Sequence, residues 1–235
     1  MSGVHPSAFI GDGVELGEGV VVGPFAVVAG PCRIGDRTWV GPNAVIGTPG
    51  ESRGMALPAF DGTPFGLGIE IGADSVIREF VTVHQGIEQV TRIGEDCYVM
   101  AYGHVPHDAT LGNGVTVSDA AQIGGHSWIG DGANLGLGAV LHQRSVVGAY
   151  AMVGMQSAVT RPIPPFAMAM GVPARVVGAN RVALQRLGLA PEDVDDWHAR
   201  LRAGEVVGEG SSVAVHVERY VDALAAVQPK GHDRP

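Results

Sequence analysis

The sequence predicts an all-β solenoid: a parallel β-helix of hexapeptide repeats, closed at one end by a C-terminal α-helical cap. Three observations predict it. An aliphatic residue recurs every six positions at 23 sites, all of them Ile, Leu or Val. Glycine accounts for 36 of the 235 residues, about twice the usual share of ~7%. The repeat then stops at Arg161-Pro162-Ile163-Pro164-Pro165 and gives way to helical patterning. A period of six suits neither a helix nor a plain strand, whose side chains repeat at 3.6 and 2. It suits strands of two or three residues alternating with tight turns, with the aliphatic side chain pointing inward. Three such units close one triangular coil of about 18 residues. Stacked coils then pair their backbones at ~4.8 Å. The glycine that often follows the rung residue, as in Ile34-Gly35 and Ile129-Gly130, is expected to accept the turn dihedrals.

Taken in order, the rungs begin with Val4, Ile10, Leu16, Val22, Val28, Ile34, Val40 and Ile46. They resume at Ile71, Ile77 and Val83, and run from Ile93 every six residues to Val159. The gap of 25 residues between Ile46 and Ile71 exceeds one hexad by 19. It predicts a loop over about 48–70, carrying Pro49-Gly50, Pro58 and Pro64, thrown off one corner of the prism. The gap of ten between Val83 and Ile93 predicts a four-residue bulge near Gly86–Gln89. Long loops inside compact domains tend to carry function. The reading therefore divides the chain into a β-helix over 1–165 and a connector with helical cap over 166–235. Helices are expected over Ala179–Leu187, Pro191–Ala203 and Val213–Val227. Pro191 suits a first helical turn, and Glu192, Asp193, Asp195 and Asp196 suit the N-terminal half of that helix. A solenoid leaves a strand edge at each end, which gives a cap its physical purpose. Lys230–Pro235 is expected to fray.

Composition excludes several classes of function. A chain that is 46% hydrophobic is not a disordered tail. No apolar run approaches the ~18–20 residues of a membrane span. The start Met1-Ser2-Gly3-Val4-His5-Pro6 has neither the basic patch nor the apolar run of a secretory leader, so a cytoplasmic protein is expected. Cys32 and Cys97 make no disulfide framework and lack metal-ligand spacing. A formal charge of −9 argues against a nucleic-acid partner, which needs a basic face.

Stacking places residues 18 apart above one another. Gly125 stands 18 residues after His107, and Gln143 stands 36 after; His126 and Arg144 bear the same relation to Asp108. Five of the nine histidines, His84, His104, His107, His126 and His142, fall between 84 and 142. A neutral imidazole can take a proton from an attacking hydroxyl or amine, which is worth ~10²–10⁴-fold. A neighbouring carboxylate such as Asp108 can fix its tautomer. A glycine one coil above leaves a backbone N–H for a developing oxyanion, worth ~10²–10³-fold. No Ser or Cys nucleophile stands in the column, so direct acyl transfer without a cofactor is expected. Two other classes fit a β-helix with histidines. One is a zinc-dependent hydratase, whose sites use two histidines five residues apart, a spacing that is missing among these five. The other is a non-catalytic subunit of an assembly.

At these residues a family resemblance becomes specific. The run Ile77-Arg78-Glu79-Phe80-Val81-Thr82-Val83-His84-Gln85-Gly86 resembles the acyl-ACP–UDP-N-acetylglucosamine O-acyltransferases, which act first in lipid A synthesis. So do His104-Val105-Pro106-His107-Asp108, Gly124-Gly125-His126 and Val140-Leu141-His142-Gln143. The resemblance covers about 4–47 and 69–190, and implies a left-handed helix and a homotrimer with active sites between subunits. It implies His107 as general base, Asp108 as its orienting partner and Gly125 as oxyanion donor. His84, His104, His126, His142 and Gln143 would line the groove for substrate and acyl carrier protein. Asn180 and Arg186 match cap positions that contact substrate or carrier; read from the residues alone, they are equally a helix N-cap and a solvated arginine. The implied reaction moves a (3-hydroxy)acyl group to the 3-hydroxyl of UDP-GlcNAc, a nucleotide sugar. Three positions depart from the family pattern. The loop Gly50-Glu51-Ser52-Arg53-Gly54 has no lysine, and Arg186 is followed by Leu187 rather than a second arginine. Met155 stands where the family limits its acyl groove, which implies a shorter acyl chain. These departures keep a second activity open, transfer from acetyl- or short-acyl-CoA to a sugar oxygen or nitrogen.

Overall fold

The computed structural model describes residues 3–54, 57–58, 61–205 and 214–227. Its strands form a left-handed parallel β-helix of triangular section. One face is a ten-stranded sheet running from Gly3–Val4 to Arg175–Ala179, and a second is a seven-stranded sheet from Val14–Leu16 to Val146–Val147. The third face holds five strands from Phe9–Ile10 to His104–Val105, then a separate pair, Val140–Leu141 with Ala158–Val159. Only single bridges through Gln122 join those two parts, to His104 below and Val140 above. The third face is therefore thinnest in the coil just above His107.

Register follows the spacing of the rungs. Val99 pairs with Val117, Val117 with Leu135 and Leu135 with Val153, each 18 residues on. Val40 pairs with Ile77, a step of 37 that absorbs the long loop. Val83 pairs with Val105, a step of 22 that absorbs the bulge. Ile34, Ile77, Val105, Val117, Ile129 and Leu135 are fully buried in one continuous core. Each such aliphatic side chain stabilises the coil by roughly 1.5–3 kcal/mol on leaving water. Val4, in the first coil, stays 42% exposed because no coil lies beneath it.

The structure corrects the reading of the glycines. Most of the sharp turns with φ near +60° are made by other residues, among them Arg37, Asp74, Asp96, Tyr102, Asp108, His126 and Tyr150. Many of them donate a backbone N–H to a carbonyl in the coil below, as Asp74 does to Asp36 at 2.8 Å and Tyr150 to Asp131 at 2.7 Å. The glycine after the rung serves close approach instead. A Cβ on Gly35 would lie 2.5 Å from the Ala73 nitrogen, and one on Gly130 would lie 2.5 Å from the Ala149 nitrogen. Coil spacing, more than turn dihedrals, excludes a side chain there.

Past Val159 the step shortens to 16, pairing Val147 with Ile163 and Val153 with Ala169. The parallel sheet thus takes one more strand, Ala167–Met170, and Arg175–Ala179 folds back antiparallel upon it. Residue 179, expected to start a helix, ends that strand. Helix α1 spans Arg181–Arg186 because Asn180 caps it, its side chain accepting from the Ala183 N–H. Helix α2, Pro191–Ala203, has the expected bounds, with Pro191 in its first turn and Gly204 closing it in the left-handed region. It buries Val194, Trp197 and Leu201 over the end of the solenoid core. Helix α3, Ala214–Ala226, packs Tyr220 and Ala223 against Val146 and Trp128 of the seven-stranded face. The expected helix start at Val213 and the expected frayed segment 230–235 lie outside the described residues. Cys32 and Cys97 are buried free thiols.

Candidate active site

The strand His104–Val105 ends at Pro106, and the chain turns through His107 and Asp108. Asp108 takes φ +61°, a conformation that Asp tolerates better than most residues. Its side chain is fully buried. Oδ2 lies 2.7 Å from His107 Nδ1. Oδ1 accepts from the backbone N–H groups of Ile87, Glu88 and Gln89 at 2.9, 2.8 and 2.8 Å. Burial alone would push this carboxyl up. The bonds from His107 and the three N–H groups outweigh it and hold the group at about 2. An ionised carboxylate only accepts, so His107 Nδ1 must carry the proton. That leaves Nε2 with a free lone pair, the tautomer a general base needs. His126 stands edge-on to His107 with centroids 5.0 Å apart, its Nδ1 3.6 Å from Asp108 Oδ2. Burial holds the His126 imidazole below its ordinary range.

One coil above, Gly125 faces the imidazole. The His126 N–H donates to the His107 carbonyl at 3.2 Å, and the Arg144 N–H donates to the Gly125 carbonyl at 2.8 Å. The column His107–Gly125–Gln143 is therefore stacked in register. A Cβ on Gly125 would come within 2.7 Å of His107 Cε1 and Nε2, so glycine is required by the ring itself. No hydrogen-bond partner among the described residues takes the Gly125 N–H. The Arg144 guanidinium turns away to the Val227 carbonyl at 3.3 Å.

Below the corner lie His104 and His84, edge-on at 4.7 Å. His104 Nδ1 is 2.7 Å from Thr82 Oγ1, and its Nε2 is 4.0 Å from a Glu51 carboxylate oxygen. Burial first, and then the neighbouring His104, push the His84 imidazole down to about 4, so it is neutral at pH 7. Its Nδ1 is buried without a partner. Two sets of groups stand close enough to share a metal ion, Glu51 with His84 and His104, and His107 with Asp108 and His126. In the second set both carboxylate oxygens already accept hydrogen bonds. The first set keeps a carboxylate with no hydrogen-bond partner among the described residues, while in the second only imidazole nitrogens remain uncommitted.

The remaining expected residues fall elsewhere. His142 and Gln143 are exposed on the corner above Gly125, the His142 ring held by the Gln143 carbonyl at 3.0 Å. Asn180 caps α1 and donates to the Tyr150 carbonyl at 2.8 Å. With Arg186, Tyr150 and Met152 it lines a cavity of about 340 Å³ on the ten-stranded face, away from His107. Met155 is 69% exposed at a different turn, on the edge that also carries exposed Leu137, Tyr102 and Phe80. Within one chain these three residues do not join the histidine cluster. Sequence reasoning missed Glu51, Thr82 and the three N–H groups on Asp108. The break in spacing before Ile93 was the available signal for the last.

No family model matches the chain. It is 38% identical to an acyl-[acyl-carrier-protein]–UDP-N-acetylglucosamine O-acyltransferase of Alkalilimnicola ehrlichii, over 100% of this chain and 93% of that protein. It is 39% identical to the enzyme of the same name from Thiobacillus denitrificans, over 82% of this chain and 80% of that one. A crystal structure of a UDP-N-acetylglucosamine acyltransferase superposes with a TM-score of 0.72 at 29% identity, covering 85% and 80% of the two chains. The Campylobacter jejuni enzyme gives a TM-score of 0.72 at 27% identity, covering 97% and 91%. Fold, site and relatives together define an acyltransferase built on hexapeptide repeats. Within that class, the chain belongs to the acyl-[acyl-carrier-protein]–UDP-N-acetylglucosamine O-acyltransferase family.

Proposed function

We propose that the protein moves a (3-hydroxy)acyl group from acyl carrier protein to the 3-hydroxyl of UDP-GlcNAc by direct transfer. The observation that carries this reading is the His107–Asp108 pair with its Nε2 free beneath Gly125. His107 Nε2 takes the hydroxyl proton as the oxygen attacks the thioester carbonyl. The Gly125 N–H receives the oxyanion. Collapse of the intermediate expels the carrier thiolate, and the imidazolium, steadied by Asp108, returns the proton to sulfur. His84, His104, His126, His142 and Gln143 line the groove for acceptor and donor.

The working unit is a homotrimer with its sites between neighbours. Two observations support it. The exposed Phe80, Tyr102, Leu137 and Met155 form an apolar edge suited to burial against another copy. Asn180 and Arg186, off the histidine corner of their own chain, would act at a neighbour's corner. A carrier-protein donor fits a cytoplasmic location, and no described helix is long and apolar enough to cross a membrane.

Mass spectrometry of products from a panel of acyl-carrier thioesters, offered with UDP-GlcNAc and its 3-amino analogue, tests the reading. An acylated nucleotide sugar formed from a carrier thioester supports it, and product formed only from acyl-CoA replaces it with the short-acyl-CoA activity. Met155 and the lysine-free loop favour that second reading enough to include CoA thioesters in the panel.

A further inference from the structure

The two interruptions of the repeat meet at one place. The loop enters past Gly50, which sits so close that a Cβ would lie 2.6 Å from Ile87 Cδ1 and 2.8 Å from His107 Cβ. The loop leaves past Leu67 and Gly68, whose backbone groups bond the bulge. The Leu67 N–H donates to the Gly86 carbonyl at 3.1 Å, and the Gly68 carbonyl accepts from Thr91 at 3.2 Å. Between these anchors the bulge is tightly shaped. A Cβ on Gly86 would lie within 1.7 Å of the Gln89 oxygen, so the turn closes only with glycine there. Its product is three consecutive N–H groups, from Ile87, Glu88 and Gln89, converging on one oxygen of Asp108. Gln89 Nε2 also donates to the Asp108 carbonyl at 2.7 Å, and Thr91 Oγ1 accepts from the Asp108 N–H at 2.9 Å. Successive backbone N–H groups of this kind make an anion-binding concavity. Here the anion is the protein's own carboxylate.

The geometry points to a single positioning unit made of both interruptions. In it the 86–89 bulge occupies Asp108 Oδ1 so that only Oδ2 faces His107, and Gly50, Leu67 and Gly68, at the two ends of the loop, hold the bulge in place. The inference rests on His107 acting as the base. With Oδ1 saturated, the carboxylate can accept from His107 in one orientation only, which holds the ring in place with Nε2 free. The residues of the bulge act through Asp108 and touch no substrate. The titratable groups facing the carboxylate are His107 and His126; Glu88 and Arg144 act on His126 through their charge, and His84 and His104 interact with His107 from the coil side.

Glu88→Pro deletes one of the three donors, and Glu88→Ala keeps it while removing the same side chain. Losing a donor leaves the carboxylate less stabilised, so it holds a neighbouring proton more tightly. In Glu88→Pro the acid limb of kcat/KM is expected to move up by roughly 0.5–1 unit, with kcat down at least ~3-fold and KM within ~2-fold. Glu88→Ala keeps all three donors and removes only a carboxylate whose charge favours the protonated His126, so its acid limb is expected not to move up. Leu67→Pro, which deletes the N–H bond to the Gly86 carbonyl without touching His107, is expected to reproduce the shifted limb, and it serves where Glu88→Pro fails to fold. A folded Leu67→Pro or Glu88→Pro whose acid limb stays in place, whether kcat falls or not, overturns the inference. A ¹³C titration of the Asp108 carboxyl separates this outcome from failure of the acyl-transfer reading. An upward shift in Glu88→Pro supports the positioning unit even if His107→Ala retains turnover, and an unmoved midpoint counts against it.

Discussion

Between Ile93 and Val159 each rung falls six residues after the last, and the strands pair 18 apart; between Ile46 and Ile93 the spacing breaks twice. The regular coils supply repetition. Any of their corners could carry His107 in the same turn. The interrupted coils supply what repetition cannot, three N–H groups aimed at a single carboxylate and a loop whose Gly50 packs against His107 Cβ. Register comes from the first region and chemistry from its contact with the second. Variants can break either side of that division.

The largest effect is expected at the junction. In Asp108→Asn the three N–H groups still hold the amide oxygen, which turns the amide nitrogen toward His107 and reverses the ring's tautomer. kcat should fall by about 10³-fold or more, with a melting curve close to the parent's. Steady-state kinetics beside calorimetry checks both halves. Next comes Gly125→Ala, in the regular column. Its Cβ displaces the His107 ring and the oxyanion position together, so kcat should drop on the order of 10²–10³-fold. Turnover within a few-fold of the parent would remove Gly125 from the mechanism.

Stability effects are smaller and separate the middle of the solenoid from its open end. Ile129→Ala empties a fully buried site and should cost about 2–5 kcal/mol in denaturant unfolding. Ile10→Ala, in the half-buried first turn, should cost roughly 1 kcal/mol. Equal costs would mean that the coils do not share one core. The smallest effect is a pH dependence from His84. Its folded imidazole sits near 4, while an unfolded histidine titrates near 6.5. As pH falls the unfolded chain takes the proton first, so stability should be flat above ~6.5 and decline between ~6.5 and 4. In His84→Asn thermal melts should lose that part of the slope.

Much of this organisation was legible in the chain. The rung spacing gave the three faces, the register and the sizes of both interruptions, because an inward aliphatic every six residues closes three-unit coils that stack 18 apart; the left-handed sense came from the family resemblance. The histidine column followed from the same spacing. Several features were not legible, for physical reasons. Turn residues such as Phe25 and Tyr102 give no sign of a positive φ, since neighbouring coils stabilise it from outside. The last strands hid because the step shortens to 16 past Pro162, Pro164 and Pro165. Glu51 reaches His104 only through the path of a loop, and the clamp on Asp108 is made of backbone, which leaves no residue-type signature.

The central claim is that His107, held by Asp108 and the bulge, takes the proton from the acceptor hydroxyl. Single-turnover acyl transfer by His107→Ala, at substrate concentrations that saturate the parent and with its fold verified by circular dichroism, tests this directly. The account predicts a rate at least ~10²-fold lower that no longer titrates on the acid limb. A rate within a few-fold of the parent, with the acid limb intact, would contradict it.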